Sequence, residues 1–204
     1  MKLYYSPGAC SLSPHIALSE AGLKADYVKV NLKEKKTETG DDYTKINPKG
    51  QVPFLVLDGG DSLSEGPAIV QYIADKAPES KIAPANGTIE RYHLQEWLNQ
   101  ITSEIHKTFS PLFNPATPDD AKAAAKDKLM KQFSYIDGKL AGKDYLMGGQ
   151  FSVADGYLFT VARWADAMKI DTSSLANFTA YKARVAARPK VKEAMLAEGR
   201  IKAA

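Results

Sequence analysis

The chain has little cysteine: Cys10 is the only one among its 204 residues. A single thiol excludes a disulfide bond within the chain and favours a reducing compartment. Histidine is also scarce, since His15, His93 and His106 are the only three. Their spacing is not that of metal ligands and one cysteine adds no further pair, so the sequence predicts no metal site.

Long apolar runs are absent too. No segment approaches the roughly 20 consecutive apolar residues that a membrane-spanning helix needs, and the first residues, "MKLYYSPGAC", lack the apolar stretch of a signal peptide. Charge of one sign is not concentrated either, because 27 basic and 24 acidic residues leave a net charge of only +3. These absences predict a cytoplasmic protein with no membrane partner and no nucleic-acid partner.

The first third of the chain alternates between strand and helix patterns. Alternating apolar residues predict strands, and apolar residues spaced three and four apart predict helices. In chain order the pattern gives a strand at 2–5, a helix at 11–21 that Gly22 ends, a strand at 26–32, a charged loop at 33–42, strands at 52–57 and 62–64, and a helix at 66–77. This order predicts a small mixed sheet with helices on its faces.

A change of composition follows. Residues 79–87 combine proline, glycine and asparagine, as a linker does. Beyond them the apolar spacing is helical throughout, at 88–109, 119–140, 152–168, 177–189 and 190–199. The sequence therefore predicts an α/β domain at residues 1–78, a linker at 79–87 and an all-helical domain at 88–204.

Cys10 stands between the first predicted strand and the helix that begins near Ser11. A lone cysteine is commonly a small buried side chain, and that interpretation stays open here. The alternative is a reactive thiol, because the unpaired N–H groups and the dipole at a helix N-terminus lower a thiol's pKa. The turn at Pro7 and Gly8 favours an exposed thiol, and without a second cysteine its partner would be an external thiol.

Two other short stretches favour a ligand site. Pro53 in "QVPF" opens a strand, where a cis Val52–Pro53 bond would free the main chain of Val52 to pair with an extended peptide. In "SEGPAI" a helix begins with exposed backbone at Gly66, which suits a carboxylate, and Glu65 before it suits an ammonium. The alternative is that Glu65 only complements the helix dipole. Both groups together fit the α-amino acid end of a ligand.

Polar residues on the first long helix allow two interpretations. Asn99, Ser103 and His106 are spaced at i, i+4 and i+7 beside the apolar stripe, so they form either a solvated face or the edge of a site. Ser152 and Asp155 have the spacing of an N-capping box that starts the most apolar helix, and we assign them no chemistry.

Five segments together resemble the glutathione S-transferase family, and within it the bacterial beta class. They stand in order along essentially the whole chain: "GACSLSPHIALSEAG", "NPKGQVPFL", "EGPAIVQYIAD", "SEIHKTFSPLF" and "SVADGYLF". The resemblance implies an α/β, thioredoxin-like N-terminal domain with cis-Pro53, an all-α C-terminal helical domain and a homodimer. It also implies glutathione as co-substrate and no metal.

The resemblance implies two catalytic residues, Cys10 at the sulfur of glutathione, including its capture as a mixed disulfide, and His106 beside it. It places Tyr5 and Ser11 near the sulfur, where other classes carry activating hydroxyls. The remaining implied residues bind glutathione. Lys35 would contact its glycyl carboxylate, Val52 and Pro53 its cysteinyl main chain, and Glu65 and Gly66 its γ-glutamyl end. Asn99 and Ser103 would line the cleft, and Glu104 would contact the glutathione that is bound in the neighbouring subunit.

One position departs from the family pattern. Many members carry serine after the acidic residue, where this chain has Gly66. The helix N–H remains, but a hydroxyl hydrogen bond is lost, and such a bond contributes about 1 kcal/mol. We therefore expect either weaker binding of the γ-glutamyl end or a carboxylate that lies closer to the backbone.

Three functions are consistent with these residues. The first is an enzyme that conjugates the glutathione thiolate to apolar electrophiles in detoxification, with an electrophile half-site near Phe109, Phe113 and Trp164. The second is a glutathione-dependent thiol-disulfide reductase that uses Cys10. The third is a non-catalytic ligand-binding or regulatory protein of the same fold, which the presence of Cys10 and His106 argues against. The sequence does not name the electrophile.

Overall fold

The computed structural model describes residues 1–202, which form two compact units. One unit comprises Met1–Ala83 and the chain from Arg188 onward, and the other comprises Pro84–Ala187. Within residues 1–202, no helix combines the length and the apolar character that crossing a membrane requires.

A five-stranded sheet forms the centre of the first unit. Its strands are β1 (Lys2–Tyr5), β2 (Asp26–Asn31), β3 (Lys36–Thr37), β4 (Phe54–Val56) and β5 (Ser62–Ser64), in the spatial order β3-β2-β1-β4-β5. β1 and β2 run parallel, with Leu3 opposite Tyr27, and β4 runs antiparallel to β1, with Leu3 opposite Leu55. The mixed sheet that the sequence predicts is confirmed.

Helices accompany this sheet. They are α1 (Leu12–Ala21), α2 (Tyr43–Ile46), α3 (Gly66–Lys76) and the last helix of the chain, α10 (Pro189–Ala197), with a 3₁₀ turn at Pro78–Ser80. α1 packs against both α3 and α10. It ends where predicted, because Gly22 adopts a left-handed φ of 67° and its N–H returns to the carbonyls of the last turn. The core of this unit includes the fully buried side chains of Leu3, Leu12, Ile16, Leu55, Ile69 and Ile73.

Two features of this unit differ from the sequence pattern. The charged stretch 33–42, predicted as a loop, contains β3, which pairs Thr37 with Val30 of β2. A strand of two residues is too short for any period to show in the sequence. The segment 190–199, which the pattern grouped with the later helices, lies mostly in α10 and packs on α1.

Polar contacts hold this last helix to α1. Arg188, just before α10, donates two hydrogen bonds to the Glu20 carboxylate, at 2.6 and 2.7 Å. Beyond α10, the buried carboxylate of Glu198 accepts the N–H of Gly8 at 2.9 Å and pairs with His15 Nδ1 at 3.1 Å. These contacts join residues that are far apart in the sequence, so periodicity alone does not place the helix.

The second unit is built of helices. They are α4 (Ile89–Gln100), a π-helical segment (Ile101–His106), a 3₁₀ turn (Lys107–Phe109), α5 (Ser110–Phe113), α6 (Asp119–Lys139), α7 (Val153–Ala162), α8 (Trp164–Ala167) and α9 (Ala176–Ala187). The predicted helix at 88–109 thus consists of an α-helical, a π-helical and a 3₁₀ segment in succession. The predicted helix at 152–168 is interrupted at Arg163. Every residue of α7 is buried, and the predicted capping box of Ser152 and Asp155 starts it.

Candidate functional site

The loop before β4 contains the predicted cis bond, between Val52 and Pro53. Two side chains anchor this loop: the Tyr43 hydroxyl donates to the Gln51 carbonyl at 2.7 Å, and Asn47 Nδ2 donates to the same oxygen at 2.8 Å. Both anchoring side chains are buried. The loop therefore has a fixed position within its unit.

Cys10 lies beside this loop. Its Sγ–H donates to the Val52 carbonyl, with 3.2 Å between sulfur and oxygen, so the structure brings two predicted site residues together. Ser11 is fully buried, and its Oγ accepts the N–H of Ser6 at 3.0 Å and donates to the Ser6 carbonyl at 3.2 Å. Ser11 therefore stabilises the turn that carries Cys10.

The thiol of Cys10 is a weaker acid than the sequence suggests. Burial raises its pKa to about 11 from an ordinary 9.0, and the carboxylates of Glu65 and Glu198 add to the rise. The N–H groups of Cys10 and Ser11 lower the pKa but do not outweigh burial. The expectation of an exposed thiol with a lowered pKa is therefore wrong: Cys10 is half-buried, and loss of solvent around the sulfur disfavours the thiolate.

Tyr5 lies at the end of β1, five residues before Cys10 in the chain. Its ring packs edge-on against the rings of His15 and Tyr27. Burial raises the pKa of its hydroxyl, so Tyr5 keeps its proton at neutral pH and is a hydrogen-bond donor rather than a base.

Glu65 precedes α3 with a φ of 70°, a left-handed conformation that is uncommon outside glycine and concentrates at functional sites. Its Oε1 accepts a hydrogen bond from Lys49 Nζ at 2.9 Å, and Lys49 also donates to Ser64 Oγ at 3.0 Å. Sequence analysis missed Lys49. The residue is the cation of "NPKGQVPFL", but no spacing rule shows that it reaches Glu65.

Gly66 is the first residue of α3, and a Cβ added to it would meet no atom within 4 Å. The position that serine takes in many family members is therefore open space here. Lys35 also has a left-handed backbone conformation, with a φ of 55°. Its Nζ donates to the Gly50 carbonyl at 2.8 Å, which brings the ammonium to the loop that contains Val52.

The other predicted residues lie in the second unit. Asn99 is on α4, whereas Ser103, Glu104 and His106 are on the π-helical segment. A π-helix has i→i+5 hydrogen bonds, so the i, i+4, i+7 spacing of an α-helix does not describe the face that His106 shares. The side chain of Glu104 pairs with Lys128 of α6 at 3.0 Å, and hydrogen bonds from Lys128 and Ser103 hold the pKa of Glu104 below its ordinary value.

His106 lies among aromatic side chains of its own unit. Its Nδ1 is 2.6 Å from Tyr157 Oη, and its ring meets the Trp164 ring edge-on with centroids 5.1 Å apart. Trp164 in turn packs edge-on against Phe109 and Phe113, at 5.4 and 5.1 Å between centroids. The three residues predicted near an electrophile half-site thus form one cluster. Sequence analysis missed Tyr157, because its position on an apolar helix indicates core packing.

The predicted site residues are divided between the two units. The first unit contains Tyr5, Cys10, Ser11, Lys35, Val52, Pro53, Glu65 and Gly66, and the second contains Asn99, Ser103, Glu104 and His106. Within residues 1–202, no group of three or more histidine, cysteine, aspartate or glutamate side chains is arranged to hold a metal ion.

Comparison with known proteins places both units in one family. The N-terminal domain model of glutathione S-transferase matches residues 1–75, and the C-terminal domain model matches residues 101–189. The chain is 47% identical over 199 residues to glutathione S-transferase GstA of Escherichia coli O157:H7, with 98% of this chain and 99% of that protein aligned.

Solved structures agree with this assignment. BphK, a bacterial glutathione transferase in a ternary complex, shares 55% sequence identity at a TM-score of 0.96, over 98% of this chain and 100% of that one. A sphingomonad glutathione S-transferase in complex with glutathione shares 48% at a TM-score of 0.95, with the same coverage of each chain. The α/β N-terminal and all-helical C-terminal architecture is thereby confirmed, and the chain belongs to the glutathione S-transferase family.

Proposed function

We propose that this protein binds glutathione and conjugates its thiolate to small apolar electrophiles, as a detoxifying transferase. The observation that carries the proposal is the 3.2 Å contact between Cys10 Sγ and the Val52 carbonyl. It joins the single thiol of the chain to the main-chain group that an extended peptide would pair with. The relatives that share about half of its sequence are glutathione transferases, one of them solved with glutathione.

In the first unit, each end of glutathione has a proposed partner. Val52, with Pro53 after it, pairs main chain to main chain with the cysteinyl residue. Glu65 receives the γ-glutamyl ammonium, and the N-terminal N–H groups of α3 at Gly66 receive the α-carboxylate. Lys35 meets the glycyl carboxylate. Lys49, already paired with Glu65 at 2.9 Å, adds a positive charge for the α-carboxylate.

The state of Cys10 favours conjugation over disulfide reduction. A thiol whose pKa is raised to about 11 keeps its proton at neutral pH. A protonated Cys10 can donate a hydrogen bond to the sulfur of glutathione and so stabilise the glutathione thiolate, which is the nucleophile of conjugation. Reduction through Cys10 needs the cysteine itself as a thiolate. Ser11 supports this arrangement by stabilising the turn that carries Cys10. Tyr5 supports it with a protonated hydroxyl near the sulfur.

In the second unit, we assign His106 to the glutathione sulfur and Asn99 and Ser103 to the glutathione cleft. The aromatic cluster of Phe109, Phe113 and Trp164 is apolar and adjoins His106, so it supplies the electrophile half-site. Glu104 is proposed to contact glutathione that is bound in the neighbouring subunit.

We further propose a cytoplasmic homodimer of the beta class. A bacterial beta class enzyme of Sphingomonas chungbukensis is 49% identical at a TM-score of 0.95. Ile89 and Tyr92 on α4 are 62% and 59% exposed, and large apolar side chains on a helix surface suit burial against a second copy. The single cysteine suits a reducing compartment. We keep the proposed division into a glutathione domain at 1–78, a linker at 79–87 and a helical domain at 88–204, although α10 packs on α1 of the first unit.

The substitution Cys10→Ala separates the two enzymatic candidates. We expect the variant to retain conjugation of glutathione to an aromatic halide, within about tenfold of the wild type, because the loss is that of one hydrogen bond to a charged group. We expect any slow reduction of a glutathione mixed disulfide that the wild type shows to be absent from the variant. If conjugation disappears as well while glutathione still binds, the reaction depends on Cys10 for more than one hydrogen bond and the proposed role of Cys10 is wrong.

Glutathione binding itself is tested by Glu65→Gln. Loss of a charge-assisted hydrogen bond to the ammonium predicts a Kd about tenfold higher or more by titration calorimetry. Glu79→Gln removes the same charge from an exposed position of the same unit and should leave the Kd unchanged. Failure of the wild-type protein to bind immobilised glutathione would instead support the non-catalytic alternative.

A further inference from the structure

The hydroxyl of Tyr157 makes a short contact with the His106 ring, with 2.6 Å between Oη and Nδ1. Tyr157 belongs to α7 and is only 2% exposed. Its oxygen also lies 3.4 Å from Thr102 Oγ1. In that contact Thr102 Oγ1, which also donates to the Leu98 carbonyl at 2.8 Å, is the donor and Tyr157 Oη the acceptor. At 2.6 Å the His106 contact is by far the shorter of the two, so Nδ1 is the acceptor that the Tyr157 proton faces.

The chemistry of the two groups decides which one donates. A phenol, with a pKa of about 10, is a far stronger acid than the N–H of a neutral imidazole, and an unprotonated imidazole nitrogen is a better acceptor than a phenol oxygen. The strong pairing is therefore Tyr157 O–H to His106 Nδ1. Neutral histidine carries one ring proton, and a hydrogen bond accepted at Nδ1 leaves that proton on Nε2.

The partners of the His106 ring are themselves held in place. The ring of Tyr157 meets it edge-on at 5.8 Å between centroids, and the ring of Trp164 does so at 5.1 Å. Tyr157 lies two residues after Asp155, whose carboxylate closes the capping box at the start of α7. A partner on a buried, capped helix can fix both the orientation and the tautomer of a histidine, as neighbouring groups do for metal-binding histidines.

We propose that Tyr157 is a positioning residue that holds His106 as the neutral tautomer with its proton on Nε2. This inference rests on the proposed function, in which His106 acts at the sulfur of glutathione. With the proton on Nε2, His106 is a hydrogen-bond donor to the glutathione thiolate and not a base that removes the thiol proton. Tyr157 thereby decides the role of His106 without touching glutathione.

The tautomer is measured on the protein without glutathione. With ¹⁵N-labelled histidine, long-range ¹H–¹⁵N spectra of the wild type at pH 8 should show a pyrrole-type Nε2 and a pyridine-type Nδ1 for His106. The chain has only three histidines, so His106→Gln identifies the signal. Tyr157→Phe, which keeps the ring and removes the hydroxyl, should shift the Nδ1 resonance and mix the tautomers. A pyrrole-type Nδ1 in the wild type would overturn the inference.

Kinetics give the second measurement. Tyr157→Phe should lower kcat for conjugation about fivefold to tenfold, as expected for one lost hydrogen bond, and leave KM for glutathione within about twofold. Tyr181→Phe is the matched control, because it removes another buried tyrosine hydroxyl of the same unit, one that donates to the Asp155 carbonyl at 3.2 Å. It should leave kcat and the His106 spectrum unchanged.

The two proposals fail in different ways. If the wild type neither binds nor conjugates glutathione, the proposed function is wrong, while the tautomer in the spectrum still tests Tyr157. If the wild type conjugates glutathione and Tyr157→Phe has wild-type kcat, or if Tyr181→Phe reproduces its loss, Tyr157 has only a structural role and the inference is overturned.

Discussion

Alkylation of Cys10 measures the state of the thiol on which the proposed chemistry depends. The chain has one cysteine, so every molecule that reacts with iodoacetamide has reacted at this residue. We expect the reaction of the glutathione-free protein to be slow at neutral pH and to accelerate as the pH rises. Its midpoint should lie near 11, the value to which burial raises the pKa of the thiol.

The magnitude follows from the population of thiolate, which is the reacting species. Well below both pKa values, a thiol with a pKa of about 11 contains about a hundredfold less thiolate than one with the ordinary value of 9.0. The rate constant of the folded protein at pH 8 should therefore be about a hundred times lower than that of the same chain unfolded in urea. Mass spectrometry of timed, quenched samples gives both rate constants.

A charge substitution tests the cause of the shift. The Glu65 carboxylate raises the pKa of Cys10, so Glu65→Gln should react faster than the wild type at pH 8. Glu79→Gln, exposed in the same unit, should react at the wild-type rate. A midpoint of 8 or lower would refute the reasoning, because it would mean that the N–H groups of Cys10 and Ser11 outweigh the burial of the sulfur.

Two further substitutions test the γ-glutamyl end of the site and the start of α7. Gly66→Ser should lower KM for glutathione about fivefold, because a hydroxyl hydrogen bond contributes about 1 kcal/mol and a Cβ at this position has no neighbour within 4 Å. Gly138→Ser on α6 is the control, because a Cβ there is equally unobstructed. Equal KM values in the wild type and both variants would contradict the expectation. Asp155→Ala should lower the free energy of unfolding by about 3 kcal/mol in urea titrations, because the buried carboxylate accepts hydrogen bonds from Leu146 N and from Ser152 N and Oγ. Burial raises the pKa of Asp155 to about 6 from 3.8, so the folded state binds this proton more tightly than the unfolded state. Its contribution to stability should then fall by about 2 kcal/mol as the pH rises from about 4 to 6, and a gap between wild type and variant that widens over this range would contradict the argument.

Local signals explain why the sequence predicted most of the fold. Gly22 ends α1 by bonding to carbonyls three and four residues earlier, and Ser152 and Asp155 cap α7 across three residues. Both partners of each interaction therefore stand in one short stretch of sequence. The same holds for the proline that precedes β4, since the residue itself restricts the backbone.

Contacts between segments that are distant in the sequence could not be predicted from local patterns. Lys49 reaches Glu65 across 16 residues, and Tyr157 reaches His106 across 51. Neither pair has a spacing that a helix or a strand explains. By its local pattern, Lys49 is an ordinary surface lysine and Tyr157 an ordinary core aromatic residue. The π-helical winding at 101–106 is equally hidden, because its residues continue the apolar pattern of α4 without a proline or glycine to mark a change.

The prediction of a lowered pKa for the Cys10 thiol was wrong for the same reason, and the raised pKa bears on function. The sequence shows the N-terminus of α1, whose N–H groups favour a thiolate, but it does not show the Val52 carbonyl 3.2 Å from the sulfur. A carbonyl that accepts a hydrogen bond from the thiol stabilises the protonated form, in the same direction as burial. Cys10 in the glutathione-free protein is thus a donor, and the sulfur that must lose its proton for conjugation is that of glutathione. A protein poised for reduction through Cys10 would need the opposite balance at this residue.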